Sequence, residues 1–173
     1  MSTGGVSLRL ERSDVTNQYE INGKSWHDVI DSGYQDVITV VRPDEVQVWE
    51  IENRSGGWFH PLHIHLVDFR VLSRNGNPAF AWERGPKDVV YIGEGEKVKV
   101  AMKFTLNKGG GTSQNAGGRY MIHCHNLPHE DHDMMQQFAV GTVDVNDPIA
   151  SAPCKPDNGE YDDGYHDDAP DGS

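Results

Sequence analysis

Cysteine is scarce in this chain: two residues among 173, Cys124 and Cys154, too few for a disulfide framework. Long apolar runs are missing as well; none approaches the roughly 18 residues of a membrane span. The polar start "MSTGGVSLRLERSD" has no hydrophobic stretch of a secretory leader. The chain is therefore expected to be soluble, with no membrane partner and nothing in it directing export. Its compartment stays open, because a partner could carry the address. Basic residues are also short, 15 Lys and Arg against 27 Asp and Glu, a net charge of −12. That balance argues against a nucleic-acid partner.

Helical periodicity is the next absence, and what replaces it is a series of short extended segments. "KVKVAMKF" sets Val98, Val100, Met102 and Phe104 on one face and Lys97, Lys99 and Lys103 on the other, the period of a half-buried strand. "QDVITVV", "DEVQVWEIEN", "HIHLVDFRVLSR", "KDVVYIG", "GRYMIHCH" and "QQFAVGTVDV" carry similar signals, punctuated by "RPDE", "RNGNP" and "GEGE". The spacing predicts an all-β, antiparallel sandwich or barrel. One short helix is expected after Pro128, in "PHEDHDMMQQ". "NKGGGTSQNAGG" (107–118) reads as a long hairpin loop. Residues 1–150 are expected to form one domain. Residues 151–173 form an acidic tail, in which Asp157, Glu160, Asp162, Asp163, Asp167, Asp168 and Asp171 face one base, Lys155.

The chemistry gathers in two places, "HPLHIH" (60–65) and "HCHNLPHEDHDMM" (123–135). On a strand, neighbouring side chains point to opposite faces. His123 and His125 then face one way and Cys124 the other, so one tripeptide can serve two sites. By the same alternation His63 and His65 share a face, and if the two segments pair, four imidazoles line one patch. Forward of Cys124, the spacing C-x-x-x-x-H-x-x-x-x-M picks out His129 and Met134. A second imidazole from His60 completes two histidines, one cysteine and a weak thioether, the ligand set of a blue copper site. Thiolate and thioether favour Cu(I), and imidazole serves both oxidation states. Structural zinc would ask for several cysteines at short spacing. A cupin-type site would ask for a glutamate where "HIHLVDF" has Asp68.

These paired motifs, with "YEINGKSWHDV", "GGWFHPLHIHLVDFRVLSRNG", "ERGPKDVVYIGEGE" and "GRYMIHCHNLPHEDHDMMQQFAV", resemble the C-terminal cupredoxin domain of multicopper oxidases, of the bacterial laccase, spore-coat oxidase, bilirubin oxidase and phenoxazinone synthase type. The resemblance implies a cupredoxin-like Greek-key sandwich with a short helix after the H-C-H motif. It implies copper as the cofactor: His60, Cys124, His129 and Met134 at the type 1 site, His63 at type 2, and His65, His123 and His125 at the type 3 pair. It further implies that electrons from a small aromatic reductant, a phenol or aminophenol, run through Cys124 to His123 and His125, and that dioxygen is reduced to water. Glu130 would help deliver protons. Asp68 and Asp131 are candidates for orienting imidazoles. Met135 is expected to pack and His132 to lie at the surface. Cys154, His27 and His166 match no copper motif.

Such oxidases place eight histidines around the three-copper cluster, and this sequence offers four. The other four would come from H-x-H motifs of N-terminal domains, so a complementing chain or a longer parent protein is expected. The alternative is a stand-alone blue copper electron-transfer protein, which leaves His63, His65, His123 and His125 without a purpose.

Overall fold

Eleven strands and two short helices are seen in the computed structural model, which describes residues 5–105 and 117–141. In chain order they are β1 (Val6–Arg12), β2 (Tyr19–Ile21), α1 (Trp26–Asp31), β3 (Val40–Val41), β4 (Val46–Arg54), β5 (His60–Ile64), β6 (Phe69–Arg74), β7 (Asn77–Pro78), β8 (Val89–Ile92), β9 (Lys97–Lys103), β10 (Gly118–Cys124), α2 (Leu127–Asp131) and β11 (Met135–Val140). They form two sheets, β2-β1-β4-β9-β6-β7 and β3-β11-β10-β5-β8. The core lies between them, as the alternation in β9 requires: Val98, Val100 and Met102 are buried, whereas Lys99 and Lys103 are exposed.

The predicted all-β sandwich is thus present, with two departures from purely antiparallel pairing. β1 runs parallel to β4, and β3 parallel to β11. Parallel neighbours need a crossover, and their pairing leaves no local turn signal to read. "QDVITVV" is a strand only at Val40 and Val41. "HIHLVDFRVLSR" is split, because Leu66 adopts a left-handed φ of 79° between β5 and β6.

The helix expected over "PHEDHDMMQQ" is confined to Leu127–Asp131. Asp133, at φ 68°, turns the chain out of the helix, and Met135 onward pairs with β10. Helix α1 had no sequence prediction. It starts at Ser25, whose backbone N–H donates to the Asp28 carboxylate at 2.8 Å. This N-terminal stretch clasps the segment after α2: Tyr19 N–H donates to the His132 carbonyl (3.4 Å), Trp26 N–H to the Asp133 carbonyl (3.0 Å) and Gln136 Nε2 to the Ser25 carbonyl (2.7 Å).

The largest buried side chains form a ring cluster in which Trp49 of β4 meets Phe104 and Phe138 at centroid distances of 5.9 and 5.4 Å. Among the described residues, a side chain of fixed charge is buried at one place. Arg74, 6 % exposed, binds Glu83 and Glu96 at 2.5 and 2.6 Å and donates to the Tyr91 carbonyl, so paired and hydrogen-bonded it escapes the penalty of an isolated ion. Nearly all of the glycine-rich 107–118 stretch, Cys154, His166 and the acidic tail lie outside the described residues.

Candidate metal centre

Strands β5 and β10 are antiparallel neighbours, with His63 opposite His123 and Leu62 opposite Cys124. This register sorts the side chains by parity. His60, Leu62, Ile64 and Cys124 are fully buried, toward the core, while His63, His65 and His125 reach the opposite, more open face with His123 among them.

On the core side three donor atoms converge. Cys124 Sγ lies 3.5 Å from His60 Nδ1 and 3.9 Å from His129 Nδ1, and the two Nδ1 atoms are 3.1 Å apart. His129 is delivered by α2, where Pro128 in the first turn and the Asn126 carbonyl, which accepts His129 N–H at 2.9 Å, start the helix. Met134 is fully buried, and its backbone joins both neighbours: its carbonyl accepts Cys124 N–H and its N–H donates to the His129 carbonyl. Tyr19 stacks on the His129 ring at 3.9 Å and Trp58 meets it edge-on at 5.2 Å. Burial, reinforced by His129, lowers the pKa of His60 to about 3, and burial raises the Cys124 thiol to about 11. His129 is lowered for the same reason, burial first and then His132. Two neutral imidazoles and a soft sulfur, dry and crowded together, are a donor set that a cation satisfies.

On the opposite face His63, His123 and His125 can bring one nitrogen each within 4.8 Å of the others. His65 joins them, its Nε2 3.1 Å from His123 Nε2 and its ring 4.8 Å from that of His63. The hydrogen bonds set the tautomers. His63 Nδ1 meets the Asp88 carbonyl at 2.8 Å, and His123 Nδ1 meets the Cys124 carbonyl at 3.2 Å. A carbonyl only accepts, so each Nδ1 carries the proton and each Nε2 is left with its lone pair. Burial lowers the pKa of His65 and His123, which keeps both rings neutral and available as donors. Glu130 of α2 stands beside this group, 3.2 Å from His123 Nδ1 and 3.9 Å from His125 Nδ1.

His60, Cys124 and His129 thus fall together on one side of the sheet, and His63, His65, His123 and His125 on the other. Asp131 and His132 are exposed, and Met135 is half-buried on β11. Asp68 is exposed beside His63, but it is the backbone of Asp88 that holds that ring. His27 sits on α1 at the surface beside Asp31. Ser55, Asn53, Tyr19 and Trp58 were missed. Only the aromatic residues left a trace in the sequence, as part of "YEINGK" and "GGWFHP".

A family model described as multicopper oxidase matches residues 7–144. A bilirubin oxidase of Albifimbria verrucaria is 41 % identical over 135 residues, 76 % of this chain and 21 % of that protein. The multicopper oxidase mco of Staphylococcus haemolyticus is 37 % identical over 142 residues, 80 % of this chain and 28 % of its own length. Among solved structures, McoA multicopper oxidase from the hyperthermophile Aquifex aeolicus superimposes with a TM-score of 0.65 at 30 % identity, over 82 % of this chain and 31 % of that one. The chain thus spans between about a fifth and a third of the relatives it matches, and the sandwich is cupredoxin-like.

Proposed function

The chain belongs to the multicopper oxidase family, whose cofactor is copper, and from that premise we propose that it is the C-terminal cupredoxin domain or subunit of a laccase-like oxidase. In this reading residues 1–150 are the domain and 151–173 an appended acidic tail. His60, Cys124, His129 and Met134 hold the type 1 copper, and His63, His65, His123 and His125 supply half of the three-copper cluster. The observation that carries the reading is the pair of donor groups on opposite faces of β10, one containing the sulfur of Cys124 and the other four imidazoles. Four converging imidazoles have no use in a stand-alone electron carrier.

Copper bound at the two groups supplies one-electron oxidation of an aromatic donor and four-electron reduction of dioxygen to water. The chain's own contributions are positional. Cys124 and its two flanking histidines are consecutive in the backbone, so a short covalent path joins the two groups. Burial of His60, Cys124 and Met134 keeps water from the sulfur side. Glu130 can hold a proton at its carboxylate, within reach of His123 and His125.

The other four cluster histidines are assigned to a second polypeptide or to N-terminal domains. Copper counting tests this directly: the isolated chain is expected to hold one tightly bound copper, and the full four are expected only with the complementing chain, recovered by pull-down. Four coppers on the isolated chain would overturn the partner requirement. A second measurement addresses Met134. Met134→Leu is expected to keep the blue colour and raise the reduction potential: soft as the thioether is, an additional donor stabilises Cu(II) more than lower-coordinate Cu(I), and leucine removes it. A lowered potential in a redox titration would remove Met134 from the site.

A further inference from the structure

Behind His60 lies a hydrogen-bonded chain that leads away from the copper site. Asn53, at the end of β4, is fully buried. Its Nδ2 donates to the Trp58 carbonyl at 2.8 Å and to the Ile92 carbonyl at 3.2 Å. Two carbonyl partners fix the amide, so Oδ1 points the other way, at Ser55. There it accepts the Ser55 backbone N–H at 3.0 Å and lies 2.7 Å from Ser55 Oγ. The hydroxyl has one proton, and its oxygen neighbours, Asn53 Oδ1 at 2.7 Å and the Trp58 carbonyl at 3.3 Å, are both acceptors. The proton is spent on one of them. What remains of Ser55 Oγ toward His60 is a lone pair, and His60 Nε2 sits on it at 2.8 Å. The imidazole must then carry its proton on Nε2, which leaves the Nδ1 lone pair facing Cys124 Sγ at 3.5 Å.

We propose that Ser55, oriented by Asn53, is a positioning residue that locks His60 in its Nε2–H tautomer and so selects Nδ1 as the atom presented to copper. The inference rests on the type 1 assignment proposed above. It adds a polar device that the sequence motif does not contain. A buried imidazole without this acceptor would divide its proton between the two nitrogens. The fraction with a proton on Nδ1 could not bind metal until it had exchanged.

The test uses the full chain, labelled with ¹⁵N-histidine and free of copper. The His60 resonances are expected to report a single Nε2–H tautomer. In Ser55→Ala a mixture is expected, with affinity for chelator-buffered Cu(I) lower by about twofold for an even split and by up to about tenfold once the lost hydrogen bond to the bound ring is included. Ser55→Thr, which keeps the hydroxyl, is expected to restore the single tautomer. A proton on Nδ1 in the unaltered chain would overturn the proposal without any variant. So would Ser55→Ala with an unchanged tautomer and unchanged affinity. The type 1 reading fails separately, if the unaltered chain with Cu(II) gives no blue absorption whatever its tautomer.

Discussion

Cys124→Ser is expected to yield a folded chain that shows no intense visible absorption with Cu(II) and no oxidase activity when combined with the complementing chain proposed above. The colour of a blue copper site comes from charge transfer out of a thiolate, and an alkoxyl oxygen is too hard and too weak a donor to replace it. Folding is expected to survive because the change is nearly isosteric. The Asn126 N–H, which meets the sulfur at 3.3 Å, and the imidazoles of His60 and His129 remain as partners for the hydroxyl. Circular dichroism and thermal melting give the fold, and absorption spectroscopy gives the site. A variant that kept its blue band would remove Cys124 from the type 1 position, and His60, His129 and Met134 would have to be reassigned with it.

The second large effect is on stability. Trp49→Ala is expected to cost about 3–5 kcal/mol. Trp49 is fully buried against Phe104, just past β9 of its own sheet, and Phe138 of β11 in the other, so truncation leaves a cavity where the layers meet. The expected reading in thermal denaturation is a melting temperature lower by on the order of 10 °C. Trp49→Phe makes the control. The indole Nε1 has no hydrogen-bond acceptor among the described residues, so removing it relieves an unpaired donor. The cost is expected to be less than half that of alanine. Equal costs for the two variants would mean that the ring volume is not what stabilises the layers.

The strands of the core were legible because burial on one face writes itself as alternation, as in β4 and β9. Copper chemistry was legible for the same reason, since parity alone separates Cys124 from His123 and His125. The parallel pairing of β1 with β4 left no such mark, because it depends on a partner some forty residues away and on no turn between them. Helix α1 is six residues long and held by contacts to Ser25 and Asp133, too short for a period to show. The helix after Pro128 was read too long because Asp133, a residue type that tolerates positive φ, gives no stop signal as plain as glycine would. Ser55 and Asn53 read as ordinary turn residues in "IENRSGGW", and only the folded arrangement of Trp58, Ile92 and His60 around them reveals their task.

Both donor groups are addressed by odd and even positions of the same short ribbon, and this makes them hostages to reading frame. Insert or delete a single amino acid at the Ile122–Cys124 end of β10, and every later side chain changes sides: sulfur would go to the imidazole face and an imidazole to the interior. Loops that carry no donor can therefore lengthen, but this ribbon and the His125–Met134 segment behind it can change only by replacement.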